Sequence, residues 1–360
     1  MFGPSSSEDD LRSRFAGLLL GQAVGDALGL PWEGLSRRRA IKMFSTPDHY
    51  RFLFGRGMIS DDTEHACMTA QAILAYPDDP KLFARSLGWK LRWWLAGLPA
   101  GIGFATLRAI MKLWVGVSPS ASGVYSAGNG PAMRAPVLGA FFKGDPAALR
   151  QYVKASTRLT HIDPKAEEGA LVIAFSARWA VKAGAGSDDP HHLLDRLSEE
   201  VTDPELAGLL DRVAKGLSLN WSVVEFADSM GLDEGVSGYI YHTVPVVLFA
   251  FLRHLGDFDS TVKNVIALGG DADSTGAIVG ALAGAAAGYE GIPPYLIKGI
   301  VEWPRSVSWI KRLADRLALS VSGGDSPKQI NLFWPGMIPR NILFLITVLI
   351  HGFRRLLPPY

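Results

Sequence analysis

The sequence predicts an all-α protein, and three observations lead there. Long stretches are rich in Ala, Leu, Arg and aromatic residues, with apolar positions recurring every three or four residues. Few stretches show the strict alternation of a half-buried strand. Between the periodic stretches lie runs of Gly, Pro, Ser and Asn, and no long internal repeat is evident. Composition agrees with a large soluble core: 360 residues, 48% hydrophobic and 20% charged. The formal net charge is +1, so no field draws nucleic acid or an acidic membrane. A single cysteine, Cys67, rules out an intrachain disulfide framework and points to a reducing, cytoplasmic compartment. Glu8, Asp9 and Asp10 precede the first apolar stretch, where a secretory signal would carry positive charge. No uninterrupted apolar run reaches the ~20 residues of a membrane helix.

The first helical stretch carries glycine at 17, 21, 25 and 29 and runs into Leu30-Pro31-Trp32-Glu33. Asp26 reads as a turn residue at its C-terminal end. Glu33 reads as a solvated loop acid, or as one that reaches a site for proton transfer or closure. Next comes Ser60-Asp61-Asp62-Thr63-Glu64, which opens a helix with Asp61 as N-cap and Glu64 as its capping-box partner. Adjacent aspartates at a helix start can also point into one cavity and bridge two ions. The positive end of the helix dipole opposes a cation there, so further carboxylates are needed. Helices are expected over 81–95, 164–182, 191–197 and 244–255, with loops at 118–130, 184–190 and 321–327. The first of these loops ends in Ser126-Ala127-Gly128-Asn129-Gly130, a small-residue run before a helix start. It reads as a plain loop and cap, or as exposed backbone N–H groups suited to a diphosphate. Leu159-Thr160-His161 offers a lone histidine, structural or ligand-facing, and Asp163-Pro164 reads as a helix entry.

A second acidic cluster, Asp271-Ala272-Asp273-Ser274-Thr275, follows a Gly-Gly turn. Ser274 or Thr275 is the expected N-cap. Direct phosphate binding is disfavoured, because Asp271 and Asp273 repel it unless a metal lies between. The helix that follows carries glycine at 276, 280, 284 and 288. Glycine costs a helix interior roughly 1 kcal/mol relative to alanine, so a stripe of it signals close backbone approach. In a membrane the stripe would mean dimerisation. These stretches are short and acid-flanked, so a buried pair is expected. If that pair is antiparallel, Asp26 and Glu33 come near Asp271 and Asp273. The two clusters then offer four aspartates and several hydroxyls, with neither His nor Cys between them. That hard oxygen set suits Mg²⁺ or Mn²⁺ rather than zinc or copper.

Beyond residue 320 the chain changes character. A Gly/Ser/Pro linker leads to Trp334-Pro335 and then nine apolar-type residues at 342–350. As a helix these span roughly 14 Å, about half a bilayer core. The expectation is an element docked on the body. The alternative is a membrane-surface or partner-binding tail, with Arg354 and Arg355 meeting lipid phosphates.

Five stretches in this order, GLLLGQAVGDALGLPWEG, SDDTEHACMTAQA, GNGPAMRAPVLG, LTH and ALGGDADSTGAIVGALAGAAAGYEGIP, resemble the ADP-ribosylglycohydrolase family. They span 17–293, about three quarters of the chain. The resemblance implies a compact, single-domain, orthogonal multi-helix bundle over 1–320, with 321–360 as linker and docked apolar tail. It implies two divalent cations, Mg²⁺ or Mn²⁺, held by Ser60, Asp61 and Asp62 from one side and Asp271, Asp273 and Ser274 from the other. Glu33 matches the family's loop glutamate. Ser126, Gly128, Asn129 and Gly130 match the loop holding diphosphate and ribose, and His161 a histidine near that ligand. Ser60 and Ser274 stand where threonine is usual, keeping the hydroxyl; Pro131 and Ala272 also depart from frequent choices. The implied activity is hydrolysis at C1″ of an ADP-ribosyl group on a protein side chain, arginine favoured, with Asp62 positioning the water and Glu33 assisting proton transfer. The alternatives are an ADP-ribose-binding module without catalysis, a structural or interaction protein that reuses the fold, and a hydrolase of another small-molecule ADP-ribosyl or nucleotide-sugar compound.

Overall fold

A computed structural model describes residues 6–183, 189–323 and 329–358. Among these residues the chain forms seventeen α-helices and isolated bridges, with no β-strand. In order they are α1 (Ser6–Gly29), α2 (Arg37–Phe44), α3 (Asp61–Ala75), α4 (Pro80–Ala96), α5 (Phe104–Trp114), α6 (Ala135–Phe141), α7 (Pro146–Arg158), α8 (Pro164–Ala183) and α9 (Pro190–Glu200). Then follow α10 (Pro204–Ser218), α11 (Val223–Ser229), α12 (Ile240–Arg253), α13 (Phe258–Ile266), α14 (Ala272–Ala287), α15 (Pro294–Gly299), α16 (Val307–Val321) and α17 (Met337–Arg354). The four helices expected at 81–95, 164–182, 191–197 and 244–255 are α4, α8, α9 and α12. Residues 184–188 and 324–328, in two of the expected loops, lie outside the described residues, as does Pro359 in the tail.

Many starts follow simple capping rules. Asp79, Asp145, Asp189 and Asp203 each precede a proline, and each side chain accepts a backbone N–H from the first turn. These helices have one apolar stripe and one polar face, and they form the outer layer.

The centre is different. Every residue from Phe15 to Trp32, and from Thr275 to Ala286, is buried. A helix apolar on all sides belongs inside. The two pair antiparallel through their glycines. A Cβ built on Gly17 would lie 2.1 Å from the carbonyl oxygen of Gly284; at Gly21, 2.3 Å from that of Gly280; at Gly25, 1.9 Å from that of Gly276. At Gly29 the neighbour is the Ala272 carbonyl oxygen, 2.2 Å away. No side chain fits between these backbones. Around this pair lie α16, α13, α8 and α3. The antiparallel arrangement puts the end of α1 and the start of α14 at the same end of the molecule.

The tail is longer than its apolar run. Helix α17 has 18 residues, because Met337-Ile338-Pro339 starts it and His351-Gly352-Phe353-Arg354 prolongs it. Its inner face packs Phe344 with Leu30, Phe52 and Met58. Arg340 and Glu302 form a buried ion pair at 2.5 Å, and the same guanidinium also donates to the carbonyl of Ile59 at 2.5 Å. Arg305 pairs with buried Glu64 at 2.5 Å, and Trp94 Nε1 donates to the other Glu64 oxygen at 2.6 Å. Breaking one member of such a buried set leaves an uncompensated charge.

The glycine contact sets a sign test. Gly25→Ala should lower stability by about 2–3 kcal/mol through overpacking. Gly208→Ala, at an exposed α10 position with open space around it, should raise stability by up to about 1 kcal/mol. Urea unfolding of the two variants checks this; equal shifts would mean that the helices do not meet at glycine.

Candidate active site

Three backbone ends converge here. Helix α1 brings Asp26 in its last turn, α3 begins with the first acidic cluster, and α14 begins with the second. Asp26 is fully buried, and its carboxylate bonds the start of α3 rather than its own turn. Its Oδ1 and Oδ2 accept the backbone N–H of Ser60 at 3.0 and 2.9 Å, and Oδ2 also accepts the Thr63 hydroxyl at 2.5 Å. Burial raises its pKa to about 7, against those hydrogen bonds, which favour the carboxylate. Asp26 is therefore the strut that fixes the start of α3 onto α1. Gln22, one turn earlier, donates to the carbonyls of Asp62 and Met133 at 3.0 and 2.8 Å.

The expected capping roles shift. Ser60, rather than Asp61, is the N-cap of α3, and its hydroxyl accepts the N–H of Asp62 at 3.2 Å. Glu64 forms no capping box, because it is held by Arg305 and Trp94. At α14 the N-cap is Asp271, without a side-chain cap, while Thr275 Oγ1 donates back to its carbonyl at 2.8 Å. Asp61, Asp62 and Ser274 are thereby free of capping duty. Both helix N-termini face the acids, which favours negative charge there.

The two clusters meet at Asp62. Its Oδ2 accepts the Ser60 hydroxyl at 3.1 Å and the Ser274 hydroxyl at 3.2 Å, one from each cluster. Asp62 Oδ1 and Asp273 Oδ1 are buried with no hydrogen-bond partner. Burial pushes the carboxyls of Asp61, Asp62 and Asp273 well up, and mutual repulsion adds to it: Asp26, Glu64 and Glu33 act on Asp61; Asp61, Asp26 and Asp271 on Asp62; Glu33, Asp62, Asp271 and Asp26 on Asp273. Asp271 is raised by burial and lowered by hydrogen bonds, the largest from Asn129. Glu33 sits at the exposed rim, raised by partial desolvation and Asp271 and lowered by Arg355.

Glu33, Asp271 and the 235–240 segment are stitched together at Gly269-Gly270. The Gly34 N–H donates to the Gly270 carbonyl at 2.7 Å, Gly270 N–H to that of Leu35 at 2.8 Å, and Asp271 N–H to that of Val236 at 2.6 Å. Gly269 and Gly270 have φ of 73° and 79°, and side chains there would strike the Leu35 and Val236 carbonyls.

The small-residue loop closes another side. Asn129 Nδ2 donates to Asp271 Oδ2 at 2.6 Å and to Thr243 Oγ1 at 3.0 Å. Asn129 N–H donates to the Gly238 carbonyl at 2.9 Å and Ile240 N–H to that of Ala127 at 2.9 Å. His161 lies under the loop: a Cβ on Gly128 would sit 3.1 Å from His161 Nε2, and one on Gly130 3.0 Å from Cε1. Ser126 Oγ lies beside Gly128 as well. Burial first, then Arg134, lowers the His161 pKa to about 3, so the ring is neutral at ordinary pH. Its Nδ1 pairs with Thr160 Oγ1 at 2.9 Å, and Arg134 donates to that hydroxyl at 2.8 Å.

Direct contacts thus join Ser60, Asp62 and Ser274, and Asn129 with Asp271, while His161 and Ser126 lie against Gly128 in the same loop. Sequence reasoning missed Gly238 and Thr243, which hold Asn129, and Arg134, which donates to the Thr160 hydroxyl that pairs with His161. It also missed Arg355, which reaches Glu33. Nothing in local pattern marks them. Among the described residues no three His, Cys, Asp or Glu side chains are already closed on one point as a metal site. Asp62 is turned instead toward two hydroxyls and Asp271 toward an amide. The donor set, all oxygen and with two orphaned buried carboxylate atoms, nonetheless fits a hard divalent cation.

Residues 7–326 match the family model described as ADP-ribosylglycohydrolase. An uncharacterized protein of Archaeoglobus fulgidus is 31% identical over 281 residues, covering 76% of this chain and 88% of that protein. The ADP-ribosyl-dinitrogen reductase glycohydrolase of Rhodospirillum rubrum is 28% identical over 300 residues, covering 81% and 90%. A solved ADP-ribosylglycohydrolase-related protein complex has a chain of the same fold, with a TM-score of 0.64 at 30% identity, covering 86% of this chain and 98% of that one. The acids gathered from α1, α3 and α14 therefore sit in a glycosyl-bond hydrolase of known kind: this chain belongs to the ADP-ribosylglycohydrolase family.

Proposed function

We propose that the protein is a metal-dependent hydrolase that releases ADP-ribose from a modified protein side chain, arginine favoured, by cleaving the bond at C1″. The carrying observation is the pair of hydroxyl donors on one Asp62 oxygen, Ser60 beside it in sequence and Ser274 from 212 residues away. Six oxygen-bearing side chains, Ser60, Asp61, Asp62, Asp271, Asp273 and Ser274, would hold two Mg²⁺ or Mn²⁺ ions. Bound ions of this class act as Lewis acids toward ribose hydroxyls and lower the pKa of water.

The chain's own groups supply the rest. Asp62 has one oxygen held by hydroxyls and the other buried and free, so it is placed to hold a water by that second oxygen. The crowded carboxylates ease positive charge developing at C1″. Glu33, at the rim with a raised pKa, is suited to pass a proton to the leaving group. Gly128 and Gly130 keep their loop bare, so the diphosphate can approach backbone N–H groups over neutral His161. Asn129 ties that loop to Asp271, so ligand binding and acid placement are mechanically linked. The favoured arginine linkage rests on the similarity to the ADP-ribosylarginine hydrolase Tri1 of Pseudomonas putida, 26% identical over 324 residues, covering 84% of this chain and 77% of that protein.

Two outcomes test this reading. Asp62→Asn and Asp271→Asn should each reduce hydrolysis by about 10²-fold or more while the circular dichroism spectrum stays native; near-normal turnover in either removes the mechanism. Arginine-linked ADP-ribosyl peptide should be cleaved faster than serine-linked peptide, and chelator should abolish cleavage with recovery on adding Mg²⁺ or Mn²⁺. Undiminished cleavage in chelator would exclude the metal requirement.

A further inference from the structure

Helix α17 lies beyond the family-matched residues 7–326 and presents an unusual outer face. Ile338, Ile342, Ile346, Leu349 and Phe353 recur at helical spacing and are exposed, from 36% at Ile338 to 69% at Phe353. Leu345, Ile350, Leu356 and Leu357 widen the stripe. By length and composition, Trp334–Arg354 is apolar enough to cross a membrane, with mean hydropathy 1.5. Yet both ends are tied to the body. Arg340 and Asn341 bond Glu302 and the Gly97 carbonyl at one end; His351 and Arg355 bond the Pro31 carbonyl at the other. A helix held so lies along a surface and does not cross it. Phe54, at the tip of the neighbouring turn, is fully exposed, while Phe52 in that turn packs on His351.

Charge selects the occupant. From Gln329 to Pro358 there is no Asp or Glu. Arg354 is exposed at the end of the stripe. Helix α2, whose Arg39 bonds the Arg355 carbonyl and whose Phe44 stacks on His351, adds exposed Arg38 and Lys42, and Arg56 follows Phe54. An apolar stripe bordered by cations, with no acid of its own, matches acyl chains below phosphate headgroups. We infer that the outer face of α17, with Phe54, seats the protein on an anionic lipid surface.

Sedimentation of the full chain with vesicles tests this, using phosphatidylcholine alone and phosphatidylcholine mixed with phosphatidylglycerol. Binding should be at least tenfold stronger to the anionic vesicles and should fall with salt. Leu349→Asp should cut it tenfold or more, and Arg354→Glu about fivefold or more. Both side chains are exposed and outside the site, so hydrolysis of a soluble substrate and the melting temperature should not change. No sedimentation with either vesicle overturns the inference. So does a dimer by light scattering that Leu349→Asp dissolves, which would assign the face to a second copy.

The inner end of α17 carries a separate inference, which rests on the proposed role of Glu33. Helix α1 ends with no basic residue in its last turn, and the chain leaves through Leu30, Pro31 and Glu33 with carbonyls to satisfy. Arg355 supplies the donors: to Glu33 O at 2.6 Å, Pro31 O at 2.9 Å and Leu30 O at 3.4 Å. His351 Nε2 donates to Pro31 O at 3.0 Å. The geometry points to Arg355 as a positioning residue that fixes the Glu33 loop at the rim of the site.

Arg355→Gln should lower kcat about tenfold with KM within about twofold, and Arg355→Lys should recover part of the loss. Adding Arg355→Gln to Glu33→Gln should cost nothing more, whereas a general structural defect would lower both rate and melting temperature additively. If Glu33→Gln is itself fully active, the role of Glu33 fails. If Glu33→Gln is impaired and Arg355→Gln is normal, the positioning inference alone fails.

Discussion

The contact between α1 and α14 governs the rest of the molecule. Two backbones lie close enough that a single methyl group at Gly17, Gly21, Gly25 or Gly280 would strike a carbonyl. Such an approach gives up side-chain packing and helix propensity, and it recovers dispersion along the full length of both helices. It also fixes register, because the glycines meet in sequence, 17 with 284 through to 25 with 276. That register decides which residues sit at the shared end. Asp26, Glu33, Asp271 and Asp273 are brought together by backbone geometry before any polar interaction is counted.

Placing acids in a buried space is costly, and the fold offsets the cost in identifiable ways. Asp26 is satisfied by the N–H groups and hydroxyls at the start of α3. Asp62 takes hydroxyls from both clusters, and Asp271 takes an amide from Asn129. Two helix N-termini add favourable dipoles. What remains uncompensated is specific: one oxygen each of Asp62 and Asp273, and the burial and mutual repulsion that raise their pKa values. Residual strain of this kind clusters where a protein binds and acts.

The C-terminal helix braces both halves of this arrangement. Through Arg340 it holds Ile59, the residue before Ser60; through Arg355 it holds the carbonyl of Glu33. The apolar-type run in the tail, at 342–350, is nine residues long. The helix is twice that length, and polar Arg340, Asn341 and His351 within it have partners on the body.

The order of motifs, the glycine spacing and the helical periods were legible in the sequence because each is a local pattern with its own physical cause. So were the two acidic clusters and the small-residue loop that the fold brings together. The capping assignments were not: Asp61, Glu64, Ser274 and Thr275 have ordinary local uses, and only Arg305, Trp94 and the opposing cluster draw Glu64 and Ser274 away from them. Gly238, Thr243, Arg134 and Arg355 were equally invisible, since each acts through a partner distant in the chain. Residue identity by itself established the helices and the acids available to them; the antiparallel register decided which acids share a space, because a glycine spacing allows close approach without naming its partner.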